Sequence, residues 1–231
     1  MIGKTNAMTL GGGSTAVIRE YTSSTTWNKP TGLKYLAIMV VGAGSGGQGG
    51  VMAQAVGGFG GNGGNVLYKI IDAADLSNTE SIVIGTGGSG GVGSVNSTRD
   101  NGAAGGNTSF GSHIAVGGAI VTALTKIRDG IFCAVGGDGG YNATGVVVPN
   151  NIAGGLRLSS GALSSIATTA EAAGSNGGNG IENVITFFGS TNGIGTGGSG
   201  GNGGNTSTNG GIGGNGGIGS GGGGGGSIFA I

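Results

Sequence analysis

Residue types that carry chemistry are scarce in this sequence, and their spacing limits what each can do. Cys133, the single cysteine, cannot close an intrachain disulfide, and with one histidine, His113, no His/Cys metal cluster can be assembled from this chain. Nine carboxylates remain as metal ligands, yet their spacing nominates no general acid/base pair. Gly87-Gly88-Ser89-Gly90-Gly91 and Gly197-Gly198-Ser199-Gly200-Gly201 match the nucleophile pattern G-x-S-x-G. Neither opens a helix, and His113 alone would have to serve as base. Gly42-Ala43-Gly44-Ser45-Gly46-Gly47 spells G-x-G-x-x-G after an apolar run. A dinucleotide site needs a helix facing the pyrophosphate, and the glycines that follow Gln48 prevent one. Gly177-Gly178-Asn179-Gly180-Ile181-Glu182 approaches a calcium nonapeptide, but it carries Glu for Asp and is not repeated in tandem. The expectation is no catalytic residue, no cofactor and no metal.

What must position any functional residue is a chain in which 64 of 231 residues are glycine, against a usual share of about 7%. Charged residues make up 8%, nine basic and nine acidic. That balance removes the electrostatic footprint of a nucleic-acid binder. The longest unbroken apolar run, Leu36 to Val41, is far below the roughly 18 residues of a membrane-spanning helix. Met1 to Gly13 lacks the apolar stretch of a signal peptide. The expectations are no nucleic acid, no membrane insertion and no secretion signal.

Glycine this abundant ordinarily marks disorder, because glycine loses the most backbone entropy on ordering. Against that, hydrophobic residues reach 36% and gather in short runs. Thr15 to Tyr21, Leu33 to Val41, Val66 to Ile71, Glu80 to Ile84, His113 to Val116, Ala119 to Leu124 and Ile131 to Val135 read as strands. Asp72 to Leu76 and Ala162 to Ala173 allow a helical turn or two, without the periodicity of a packed helix. The expected fold is all-β, a β-sandwich with a glycine-rich bundle. Trp27, Tyr21, Tyr35 and Tyr68 are expected to pack in the core or at its edge.

The glycines fall into a period of three, as in Gly57-Gly58-Phe59-Gly60-Gly61-Asn62-Gly63-Gly64-Asn65 and in the runs from Gly197 and Gly210. A polyproline-II-type helix turns every three residues, so two edges of such a run are bare glycine. Without internal hydrogen bonds, buried helices of this kind must satisfy their amides and carbonyls on one another. Several runs in one chain therefore predict a polyglycine-II bundle. Ile84-Gly85-Thr86-Gly87-Gly88-Ser89-Gly90-Gly91 recurs from Ile194, and no charged residue follows Glu182. The expected organisation is an attachment segment over 1–13, a strand-rich part over 14–135 and a polyglycine-II part over 136–231.

Arg19-Glu20-Tyr21-Thr22-Ser23-Ser24-Thr25-Thr26-Trp27-Asn28-Lys29-Pro30-Thr31-Gly32-Leu33-Lys34-Tyr35, followed by an apolar strand and Val41-Gly42-Ala43-Gly44, resembles the opening of glycine-rich bacteriophage tail-fibre domains. The likeness continues through Gly64-Asn65-Val66, Glu80 to Gly91 and Gly105-Gly106-Asn107-Thr108-Ser109-Phe110-Gly111. Glycine-rich runs of this kind are also similar to those of small phage tip adhesins and of insect antifreeze proteins. The resemblance implies a virion tail-fibre or tip-adhesin protein made in the host cytoplasm. Its implied partners are a bacterial surface receptor, protein or glycan, and other virion fibre or tail proteins, with a homotrimer as the preferred state. A purely structural virion protein, whether decoration or shaft, is the alternative; ice binding is a distant one, since the third positions mix Phe, Asn, Ser and Ile.

Stacked glycine helices have low relief, so specificity is expected in the segments that connect them. Those segments are Ser94 to Asn101, Tyr141 to Asn151 and Gly155 to Ser160. They supply Arg99, Asp100, Tyr141, Asn142, Asn150, Asn151 and Arg157 as receptor-contact candidates, with Tyr141 and Arg157 foremost because Tyr and Arg are frequent anchors.

Overall fold

Alternation of apolar and polar residues builds the first sheets. The computed structural model describes residues 5–10, 14–50, 58–92 and 100–120. It also describes the short stretches 132–135, 141–143, 146–148, 155–158, 161–165, 185–186, 193–194, 213–216 and residue 222. Strands β1 (Thr5–Leu10) and β2 (Ser14–Arg19) pair as an antiparallel hairpin.

Strands β3 (Thr25–Asn28), β4 (Tyr35–Val41), β5 (Val66–Asp72), β6 (Thr79–Val83), β7 (Thr108–Phe110) and β8 (His113–Ala115) form two antiparallel sheets. One has the order β3-β6-β7-β8, and the other is β4 paired with β5. Each contributes to a single core: Trp27, Ile82, Phe110 and Ala115 from the first, Ile38, Val40 and Ile71 from the second, with Leu76 beside them. Trp27 and Phe110 meet edge to face, ring centroids 5.3 Å apart, the arrangement favoured by the ring quadrupoles. The Lys-Pro turn is tied across the core's rim, where Lys29 Nζ donates to the Leu76 carbonyl at 2.8 Å and to that of Ala73 at 3.3 Å. Asp72 to Leu76 holds a short 3-10 turn, Ala73–Asp75, capped by the Asp72 carboxylate accepting from the Ala74 amide.

Tyr35 and Tyr68 depart from their expected place. At 68% and 50% exposure, they stand on the outer face of the β4–β5 pair, because their parity is opposite to that of the buried Ile38, Val40 and Ile71.

Farther along, β9 (Phe132–Val135), β12 (Gly155–Leu158) and β13 (Gly161–Ser165) make a three-stranded sheet with β12 in the middle. Strand β10 (Tyr141–Ala143) pairs antiparallel with β11 (Val146–Val148), and β14 (Ile185–Thr186) with β15 (Gly193–Ile194). Two expectations are corrected here. Of Ala162 to Ala173, read as allowing a helical turn, residues 162–165 belong to a strand and the rest lie outside the described residues; the segments from Tyr141 and Gly155, read as connecting loops, carry strands. Their short Val and Leu runs find antiparallel strand partners, which local composition did not reveal.

Between and beyond the sheets lie glycine segments that belong to no ladder. Residues 42–50 follow β4 and 58–65 lead into β5; 84–92 follow β6 and 100–107 lead into β7; 116–120 follow β8. Their hydrogen bonds repeat every third residue. In the first segment the amides of Gly42, Ser45 and Gln48 donate to Asn65, Asn62 and Phe59, each at 2.8 Å. The next residues, Ala43, Gly46 and Gly49, donate to Gly106, Ala103 and Asp100 at 3.0 to 3.1 Å. The third set accepts: Gly88 donates to Gly44 at 2.9 Å and Gly91 to Gly47 at 2.8 Å. Gly118 donates to Ala43 and Gly222 to Ser45, so segment 42–50 is bonded on every side and is buried throughout except at Ala43.

Candidate functional site

Four glycine segments, 42–50, 58–65, 84–92 and 100–107, set the site because they run between the same two ends. At one end they join the sheets. At the other, Gly49 donates to Asp100, Gln48 to Phe59, and Gly91 to Gly47. Gly50, Gly58, Val92 and Asp100 therefore lie at this second end, the tip.

Two side chains fasten the tip. Gln48, 3% exposed, donates through Nε2 to Asn101 Oδ1 at 2.6 Å, and its Oε1 accepts from the Phe59 amide at 3.5 Å. Asp100 Oδ2 accepts from the Val92 amide at 2.8 Å. The base of each tip connection is thus held to a neighbouring segment. Val92 is 72% exposed, and Asp100 and Asn101 are exposed beside it.

Deeper in the bundle, Ser45 and Asn62 form a buried polar pair. The Asn62 amide donates to Ser45 Oγ at 2.8 Å, and Asn62 Nδ2 donates to the Ala119 carbonyl at 3.0 Å. Asn62 Oδ1 is buried and has no hydrogen-bond partner among the described residues. Close approach explains most of the glycines here: a Cβ on Gly46 would overlap the Ser89 carbonyl, and one on Gly105 that of Ala43. The G-x-G-x-x-G run is consequently enclosed by backbone and opens no helix.

Of the seven receptor-contact candidates, the structure places Asp100 at the tip. Tyr141 and Asn142 stand on β10 opposite Val148 and Val147. Arg157 is on β12, opposite Ala162 of β13 and Cys133 of β9. Arg99, Asn150 and Asn151 lie outside the described residues. Sequence reasoning missed Gln48, Val92 and Asn101. A signal existed for Gln48: it is a long amide side chain inside a run of glycines, where only a fixed partner justifies its burial.

A sequence family described as a glycine-rich domain matches residues 19–230. The chain belongs to this glycine-rich domain family. No curated protein sequence matches it. In this glycine-rich domain, among the described residues, no three His, Cys, Asp or Glu side chains stand close enough to share a metal ion. The polar groups that the tip offers are hydrogen-bonding ones.

Proposed function

We propose that the chain is a tail-fibre or tip-adhesin protein of a bacteriophage virion, binding a bacterial surface receptor non-covalently and without catalysis. The observation that carries the reading is the tip: two outward and two returning glycine segments bring Gly49, Phe59, Gly91 and Asp100 together at one end, away from the strands they adjoin. On this reading the two sheets of 25–115 are the halves of a sandwich, and the glycine segments are a polyglycine-II bundle. The three-residue repeat of hydrogen bonds supports that bundle. Residues 42–49 would then reach about 22 Å at about 3.1 Å per residue. A rigid stalk of that length separates contact chemistry from the folded base, which suits a protein that must present variable loops. The resemblance of Tyr21 to Gly118 to phage tail-fibre domains supports the virion setting. Homotrimer formation and docking on other fibre proteins belong to the same proposal.

Labelled protein applied to a panel of bacterial strains tests it. The reading expects saturable binding to some strains, abolished when residues 51–57 and 93–99 are both replaced by glycine-serine linkers of equal length. Undiminished binding after both replacements would contradict it, and a purely structural virion role would take its place.

A further inference from the structure

Resting on the attachment reading, we infer that Asp100 and Asn101 form a binding pair for the hydroxyl groups of a neutral glycan. Both residues are exposed at the tip, and each uses one polar atom to hold the fold. Asp100 Oδ2 accepts from the Val92 amide at 2.8 Å; Asn101 Oδ1 accepts from Gln48 Nε2 at 2.6 Å. The atoms left over are complementary. Asp100 Oδ1 is an acceptor and Asn101 Nδ2 a donor, on adjacent residues, with no described residue engaging either.

A sugar hydroxyl donates once and accepts from a second partner. A carboxylate acceptor next to an amide donor therefore satisfies one sugar ring in both senses. The anchors matter as much as the groups they leave free. Because Gln48 is 3% exposed and the Asp100 carbonyl is itself bonded to the Gly49 amide at 3.0 Å, the pair is held in place before ligand arrives. Ordering these side chains on binding then costs little. Val92, 72% exposed, adds an apolar surface beside them for the C–H face of a ring.

Two isosteric variants separate this role from a structural one. Asp100→Asn can keep an oxygen on the Val92 amide while replacing the free acceptor by a donor. Asn101→Asp can keep an oxygen on Gln48 while replacing the free donor by an acceptor. The experiment titrates isotope-labelled full chain with methyl α-mannoside and methyl β-galactoside, with ethylene glycol as control. It follows the Asn101 side-chain amide and the Val92 backbone amide by NMR. The inference expects saturable shifts at both groups with at least one glycoside and none with ethylene glycol. Asp100→Asn is expected to weaken binding about tenfold or more, the worth of one hydrogen bond to a charged group, and Asn101→Asp about fivefold, the worth of a neutral one, while exchange protection of the Val92 and Gly49 amides is retained. Absence of saturable shifts in the wild type, or wild-type affinity in either variant, overturns it. Cell binding by Asp100→Asn at wild-type strength, with loss only on full loop replacement, would overturn this inference and leave the attachment reading standing.

Discussion

Gly88 lies so close to Ala103 that a Cβ on the glycine would overlap the Ala103 carbonyl oxygen, whereas the space over its neighbour Gly87 is empty to 4 Å. The alternation continues along the segment. Gly91 would overlap Asp100, and Gly90 has only the Gly47 carbonyl at 3.9 Å. One edge in three is pressed against another backbone.

Alanine at the two positions should therefore act in opposite directions. Gly88→Ala is expected to destabilise by about 1–3 kcal/mol or more through overpacking. Gly87→Ala, whose φ lies outside the left-handed region, should be neutral or stabilise by up to about 1 kcal/mol by restricting the unfolded chain. Chemical denaturation of both variants measures this, and equal losses at both would count against the packing described.

Trp27 of β3 and Phe110 of β7, two strands of one sheet, meet ring to ring within the core. Phe110→Ala should cost about 3–5 kcal/mol. Ile114→Ala, on the adjoining strand but 53% exposed, should stay within about 0.5 kcal/mol. Thermal or denaturant unfolding compares the two.

Ser45, 1% exposed, supplies the acceptor for the Asn62 amide. Ser45→Ala strands that buried amide and is expected to cost about 1–3 kcal/mol. The exposed Ser89, in a parallel neighbouring segment, should tolerate alanine with little change in the same unfolding measurement.

Much of this was legible in the residues, but unevenly. Tyr35–Val41 and Val66–Asp72 announce themselves as apolar runs, and Asp72 marks the turn it caps. Thr25–Asn28 does not, since Trp27 is its one buried residue; the strand exists because β6 lies beside it. The three-residue period foretold how glycine segments are bonded, yet the most enclosed one, 42–50, is not a regular run of two glycines and a third residue. Its place at the centre follows from which strands it connects, a property of topology. Likewise, Asp100 was found as a loop residue and Gln48 stands out as a long amide among glycines, while its partner Asn101 emerges only when segments 53 residues apart are laid side by side. Tyr141 and Arg157, favoured for their residue types, stand on strands because Val146–Val148 and Gly161–Ser165 pair with them.

The central claim is that glycine segments pair backbone to backbone with a three-residue repeat, and residue-resolved amide hydrogen exchange tests it most directly. Slow exchange is predicted at Gly42, Ala43, Ser45, Gly46, Gln48, Gly49, Gly88 and Gly91, all donors to neighbouring segments, with fast exchange at the exposed Gly87 and Gly90. Uniformly fast exchange across 42–49 and 87–91, or protection of Gly87 and Gly90 equal to that of Gly88 and Gly91, would contradict the account.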